Sequence, residues 1–331
     1  MIARRDLLIV LGAGALVAPF AALSQQASKV RRIGFLAARS RSTPSNPEPY
    51  YDAFVQGMRE LGYVEGKNLV IEWRFADGKF ERLPGLAAEL VEAKVEVIVT
   101  HSTPGTQAAQ RATSTIPIVS AASSDPVARG FAASLARPGG NITGLSLITI
   151  DVTPKHIELL KIMLPRLARV AVVINPGNPV SPAILKSIQA AAQHAGIKVL
   201  PLDARTAEEI ERGFATMTKE HAGAVIFSSD SFFIGQRKQI AELALKNRLP
   251  SMFYYRENVT AGGLMSYGQN LADHYARAAT FVGKILKGAK PADLPIEQPT
   301  RIHLAINRKT AKTLGLAITN ELLLRADEMI E

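Results

Sequence analysis

The chain has 331 residues, 47% of them hydrophobic and 21% charged, with a formal net charge of +10 and no cysteine. That length provides for two ordinary domains, and this balance of apolar and charged residues excludes a disordered, collagenous or coiled-coil chain. Without cysteine there are no disulfides, thiolate metal sites, cysteine nucleophile or lipid-bearing cysteine.

The basic residues are scattered along the chain, with no run of five or six and no nucleic-acid-reading motif. A dispersed excess reads as a solvated surface, so no nucleic-acid partner is expected. The N-terminus carries Arg4 and Arg5, an apolar run over 7–18, Pro19, and the small-x-small triplet Ala22, Leu23, Ser24 before Gln25. This is the pattern of a signal peptide over 1–24, read by the Sec route or, given the arginine pair, by Tat. The run is shorter than the ~20 residues a membrane-spanning helix needs. A buried N-terminal helix is the other reading. Export places the mature protein in the periplasm.

Beyond residue 30 the pattern alternates β-branched runs with amphipathic stretches, which argues for parallel α/β units. Strands are predicted over 32–36, 68–75, 95–100 and 116–120. Helices are predicted over 50–61, 83–93 and 104–113, the last with proline at its start. The plan then repeats, with strands over 170–174, 198–202, 224–227 and 251–254 and helices over 182–195, 207–220 and 235–246. Between the halves, 142–150 reads as extended after the turn signal Pro138, Gly139, Gly140. A helix over 271–286, an extended run over 301–306 and two short helices finish the chain. The fold class is therefore α/β: two doubly wound parallel-sheet lobes joined by several hinge connections. One lobe takes 30–145 plus about 268–298, and the other 146–267 plus about 299–331. Such connections permit closure around a ligand.

Three stretches carry a resemblance: LGYVEGKNLVIEW (61–73), DPVARGFAASLARPGGNITG (125–144), and NRKTAKTLGLAI (307–318) running on to RADEMIE (325–331). In this order, over nearly all of the mature chain, the sequence resembles the ABC-transporter substrate-binding proteins related to tryptophan- and tyrosine-binding importers. The resemblance implies a type I periplasmic-binding-protein fold with three interlobe crossovers, no catalysis and no cofactor. It also implies a separate permease and ATPase as partners, with the membrane reached only through the permease, and a monomer. Relatives anchored by lipid use a cysteine that this chain lacks, which favours a free periplasmic protein.

In open α/β sheets ligands sit beyond the carboxyl ends of the strands. In the first half those loops carry Arg39 and Ser40, then His101, Ser102 and Thr103, then Ser123 and Asp125. Hydroxyls, an arginine and a helix start with free N–H groups suit a ligand carboxylate. Ser102 or Thr103 as a simple helix cap, and Asp125 as the cap of a helix beginning at Pro126, are equally local solutions. In the second half the loops carry Asn175 and Asn178, then Ser229 and Asp230, then Tyr254 and Arg256, with Tyr267 beyond the glycines. Aromatic faces with one acidic group suit an amphipathic or aromatic ligand such as an amino acid. Each aromatic also has an ordinary place in the core.

The six histidines, at 101, 156, 194, 221, 274 and 303, show no metal-ligand spacing. There is no G-x-S-x-G elbow, and the glycines at 12 and 14 that echo a dinucleotide loop fall inside the signal peptide. No metal and no enzymatic activity are expected. An enzyme of doubly wound fold and a sensory binding protein feeding a membrane receptor stay open as alternatives.

Overall fold

The structure, a computed structural model, describes residues 30–44 and 48–331. The expected signal peptide over 1–24 lies outside the described residues. Strands form where the sequence holds apolar runs that helices can cover on both faces. β1 (Arg31–Ala37) is buried along its last five residues, and α1 (Pro49–Glu60) packs Tyr50, Tyr51, Phe54 and Met58 inward. β2 (Leu69–Phe75), α2 (Leu83–Glu92), β3 (Val97–Thr100), α3 (Thr103–Ala112), β4 (Ile118–Ser124) and β5 (Ile142–Leu147) follow. These five strands form one parallel sheet in the order β2-β1-β3-β4-β5.

The second sheet starts after α4 (Thr149–Met163) with β6 (Arg169–Ile174), α5 (Ser181–His194), β7 (Lys198–Asp203) and α6 (Ala207–Lys219). It continues through β8 (Ala224–Phe227), α7 (Ser231–Gly235), α8 (Arg237–Lys246), β9 (Ser251–Phe253), α9 (Arg256–Thr260) and β10 (Met265–Gly268). α10 (Leu271–Leu286) then returns to the first lobe, packing on α1 and β4. β11 (His303–Asn307), α11 (Arg308–Leu314), α12 (Asn320–Arg325) and β12 (Glu328–Ile330) complete the second lobe. Its sheet runs β12-β11-β10-β9-β8-β6-β7, parallel except for the antiparallel pair β10 and β11.

The chain passes between the sheets three times: from β5 into α4, from β10 into α10, and from Glu297 to β11. Glu297 is itself bridged to Leu145 of β5. Side by side, these passages make the hinge.

Several elements differ from the sequence expectation. The extended run expected to 150 ends at Leu147, and α4 begins at once. Its β-branched start and Pro154 disguise it in the sequence. Proline removes the N–H that would bond the Ile150 carbonyl. Ser187 of α5 donates to that carbonyl instead, at 3.4 Å, while Val152, His156, Ile157 and Leu160 bury the helix. The helix expected at Pro126 is only a turn. β10, α9 and β12 were not expected from the sequence; all are short and depend on neighbouring strands or helices.

α6 offers a clean test of local reading. Thr206 accepts a hydrogen bond from the Glu209 backbone N–H at 3.2 Å, and the Glu209 carboxylate accepts from the Arg205 N–H at 2.6 Å, a variant of the capping box. Thr206→Ala should lower stability by about 1 kcal/mol in urea denaturation and leave ligand affinity unchanged.

Candidate functional site

The strand orders place the site. In the first lobe the order reverses between β1 and β3, so their outgoing loops part and leave a crevice. In the second lobe the same reversal falls between β6 and β8. The loops after β1 and β3 carry Arg39 and His101 to Thr103. The loops after β6 and β8 carry Asn178 and Ser229 to Ser231. All of these line one cavity between the lobes. Larger hollows, about 730 Å³ between α4 and α5 and about 1110 Å³ around Arg166 and Lys198, open on the outside of the second lobe. Neither joins residues of both lobes.

On the first lobe the cavity wall is a buried cation set in aromatic rings. Arg39 is 3% exposed. Its Nε donates to Glu48 at 2.8 Å and its Nη2 to the Tyr275 hydroxyl at 3.2 Å. Its guanidinium lies 4.9 Å from the Tyr50 ring centre, close enough for cation–π attraction. His101 accepts from the Ala38 backbone N–H through Nε2, at 2.7 Å. Burial, and then the neighbouring Arg39 charge, hold its imidazole well below the ordinary 6.5. The ring is therefore neutral with its proton on Nδ1. That N–H stands 3.5 Å from Nη1 of Arg39. Two donors face one another, and an acceptor oxygen from a ligand would satisfy both. The start of α3 adds backbone N–H groups and the positive end of its dipole. Ser102 caps that helix at Gly105 N, 3.1 Å away, so capping and cavity lining hold together.

On the second lobe the wall is a buried carboxylate. Asp230 accepts from Asn178 Nδ2 at 2.8 Å, Asn175 Nδ2 at 3.3 Å and the Phe232 N–H at 2.8 Å. Burial pushes its carboxyl up to about 6, while the bonds from Asn178, the Phe232 backbone and Asn175 hold it from going further. Beneath the cavity a chain of hydroxyls crosses from lobe to lobe. Ser124 contacts Thr149 at 3.2 Å, Thr149 contacts Ser229 at 3.5 Å, and Ser229 contacts Tyr255 at 2.5 Å. Thr149 stands at the first crossover, so this relay runs beside the hinge.

Of the residues expected from the sequence, Arg39, His101, Ser102, Thr103, Asn178, Ser229 and Asp230 line the cavity. Asn175 stands behind Asp230. The others are placed elsewhere. Ser40 is exposed. Ser123 is buried in the β4–β5 pairing, and its neighbour Ser124 reaches the cavity instead. Asp125 caps a turn at Ala128 N, 3.2 Å away. Tyr254 bonds Thr153 at 2.7 Å in the lobe interior, while Tyr255 faces the cavity. Arg256 is held outside in a two-point ion pair with Glu328, at 2.5 and 2.6 Å. Tyr267 packs beside His156. Leu147, Ile234 and Leu271 supply apolar lining. Leu147 and Leu271 sit at crossovers, and that position is the signal that pattern reading passed over. Glu48, which orients Arg39, has no signal in the sequence.

The closed lobes leave about 20 Å³ here, room for about one water molecule. Other contacts keep the gap narrow. Arg129 Nη1 donates to the Pro179 carbonyl at 3.0 Å, and Phe80 packs against apolar clusters of both lobes.

A family model described as ABC transporter substrate binding protein matches residues 44–330. A tyrosine-binding protein of Clostridioides difficile (strain R20291) is 26% identical over 279 residues, covering 83% of this chain and 80% of that protein. The ABC domain of Streptococcus pneumonia in complex with L-Trp is 25% identical, covers 91% of this chain and 99% of its own, and has a TM-score of 0.82. The ligand-free, open structure of a substrate binding protein with adhesive properties from Clostridium difficile is also 25% identical, covers 91% of this chain and 99% of its own, and has a TM-score of 0.62. At equal identity and coverage, the lower score of the open structure fits a different setting of the lobes. The present chain lies nearer the L-Trp complex.

Proposed function

The chain belongs to the family of ABC transporter substrate binding proteins, and from that premise we propose that it is the exported solute-binding component of an importer, closing its lobes over a small amphipathic carboxylate such as an aromatic amino acid. The fold is that of a type I periplasmic binding protein. We take the lobes as 30–145 with about 268–298, and 146–267 with about 299–331. The ligand passes unchanged to a permease powered by a separate ATPase, and the carrier works as a periplasmic monomer.

One observation carries this reading: a buried cation and a buried carboxylate face one cavity from opposite lobes. Arg39, His101 Nδ1 and the start of α3 suit a carboxylate. Asp230 suits an ammonium group. A zwitterion bridges the two walls with the lobes set wider than the gap of about 20 Å³ here, and both of its ends are met only when the lobes close on it. Tyr255 and the leucines at the crossovers give an apolar side chain its surface.

Calorimetric titration of residues 25–331 against amino acids tests the reading. At least one apolar or aromatic amino acid should bind with micromolar affinity or tighter. Its analogues lacking the carboxylate or the amine should each bind at least ~100-fold more weakly, because each leaves a buried charge unmatched. No binder tighter than millimolar would overturn the amino-acid assignment.

A further inference from the structure

We infer that Glu48 is the latch of lobe closure, joining the ligand-facing Arg39 of one lobe to Arg237 of the other through a single buried carboxylate. The inference deepens the proposed function and rests on it for the role of Arg39. The geometry itself is independent of any ligand.

Glu48 precedes α1 in the first lobe and is 2% exposed. One of its oxygens accepts from Arg39 Nε at 2.8 Å. The other accepts from Arg237 Nη1 at 3.2 Å. Arg237 opens α8 in the second lobe and also donates to the Ile234 carbonyl, at 2.9 Å. Both guanidinium partners are buried, at 3% and 8% exposure. A surface ion pair contributes little because water competes for both charges. Here water is excluded, so losing one partner is felt strongly.

The arrangement has a direction. The Arg39–Glu48 bond lies within one lobe and survives opening. The Glu48–Arg237 bond crosses the cleft and exists only when the lobes are closed. Two guanidinium groups, one from each lobe, meet at one carboxylate. A ligand that joins Arg39 to Asp230 draws the same two lobes together, so occupancy and latch closure favour each other. Glu48 thus acts as a positioning residue for Arg39 and as the closure contact itself.

The test uses labels on two cysteines introduced at Glu60 and Lys246, which are exposed on opposite lobes, in a chain with no cysteine of its own. Single-molecule energy transfer reads the closed-to-open ratio, without ligand and with millimolar L-tryptophan. Arg237→Gln leaves Glu48 paired to Arg39 and removes the crossing bond, together with the bond to the Ile234 carbonyl inside the second lobe. It should lower the closed-to-open ratio at least ~10-fold, and Arg237→Lys should restore part of it. Glu48→Gln should lower the ratio as much, and adding Arg237→Gln to it should change little, since the two act through one bond. A ratio within about twofold of the native one in Arg237→Gln overturns the latch. A native protein that never closes, with or without tryptophan, overturns it too. Failure of the amino-acid reading shows separately, as absent binding in titration with the ligand-free ratios still responding to Arg237→Gln.

Discussion

Asp230→Asn should weaken binding of an ammonium-bearing ligand at least ~100-fold at pH 7 while the protein stays folded, because the amide keeps an oxygen for the Phe232 N–H but loses the charge. The native carboxyl, pushed up to about 6 by burial, gives this site a pH signature. As pH falls through about 6 the carboxyl takes a proton and can no longer pair with an ammonium group. Affinity should then drop by up to ~10-fold per pH unit, and the Asn variant should show no such slope. Calorimetry between pH 4.5 and 8 reads both. A native affinity that is flat through pH 6 would sink the pairing of Asp230 with an ammonium.

The same group affects stability with a definite sign. Its carboxyl pKa is higher in the folded protein than the ordinary 3.8. Relative to an ordinary aspartate, the stabilisation is full below pH 3.8 and is lost as pH rises through about 6. That amounts to roughly 3 kcal/mol, the ionised form being the one that burial disfavours. The buried histidines act oppositely. Burial holds His156 down to about 4, and His101 and His274 also lie below 6.5. Their contribution is full above 6.5 and declines as pH falls from there toward their folded values. The native pH profile therefore mixes both signs. The stability difference between Asp230→Asn and native protein isolates the aspartate, and it should move toward the variant as pH rises from 4 to 7. Urea denaturation at a series of pH values measures it.

Gly144→Ala should be the most damaging single methyl group in the first lobe. Gly144 has φ +125°, in the region that side-chain-bearing residues avoid. A Cβ there would sit 2.1 Å from the Ser120 carbonyl oxygen and 2.8 Å from its nitrogen. Both are backbone atoms of β4, so no rotamer change relieves the clash. The Gly144 carbonyl also accepts the Glu297 N–H at 2.9 Å, which ties the third crossover to β5. Separating β4 from β5 should cost about 3 kcal/mol or more, a fall in Tm of roughly 6–12 °C. Gly85→Ala is the control. That glycine lies within α2 with open space around its Cβ position, and alanine there should add about 0.5–1 kcal/mol. Equal melting temperatures for Gly144→Ala and native protein would show that the strands can shift apart freely.

Much of the candidate site was legible because apolar periodicity locates the strands, and with them the loops at their carboxyl ends. Arg39, His101 to Thr103, Asn178, Ser229 and Asp230, all on such loops, line the cavity. Two of the expected residues lie away from the cavity because of the face of the strand they occupy. Adjacent positions such as Ser123 and Ser124, or Tyr254 and Tyr255, face opposite sides of a strand or its exit. Which one reaches the cavity depends on the register of β4 and β9 against their neighbours. Arg256 was drawn away by Glu328, which lies 72 positions along the chain.

What the sequence by itself determined is whatever a window of about fifteen residues can encode: the alternation of strand and helix, the helix start at Ser102, the span of α10, and the family resemblance summed over many such windows. Only the tertiary structure decided α4, where burial and a hydroxyl from α5 outweigh Pro154. It alone decided the depth at which Asp230 is buried, and with it the raised carboxyl pKa. It also decided the junction of Arg39, Glu48 and Arg237, whose last two members stand 189 positions apart. Local periodicity fixes which face of an element turns inward, but the burial of a charge depends on groups contributed by the other lobe.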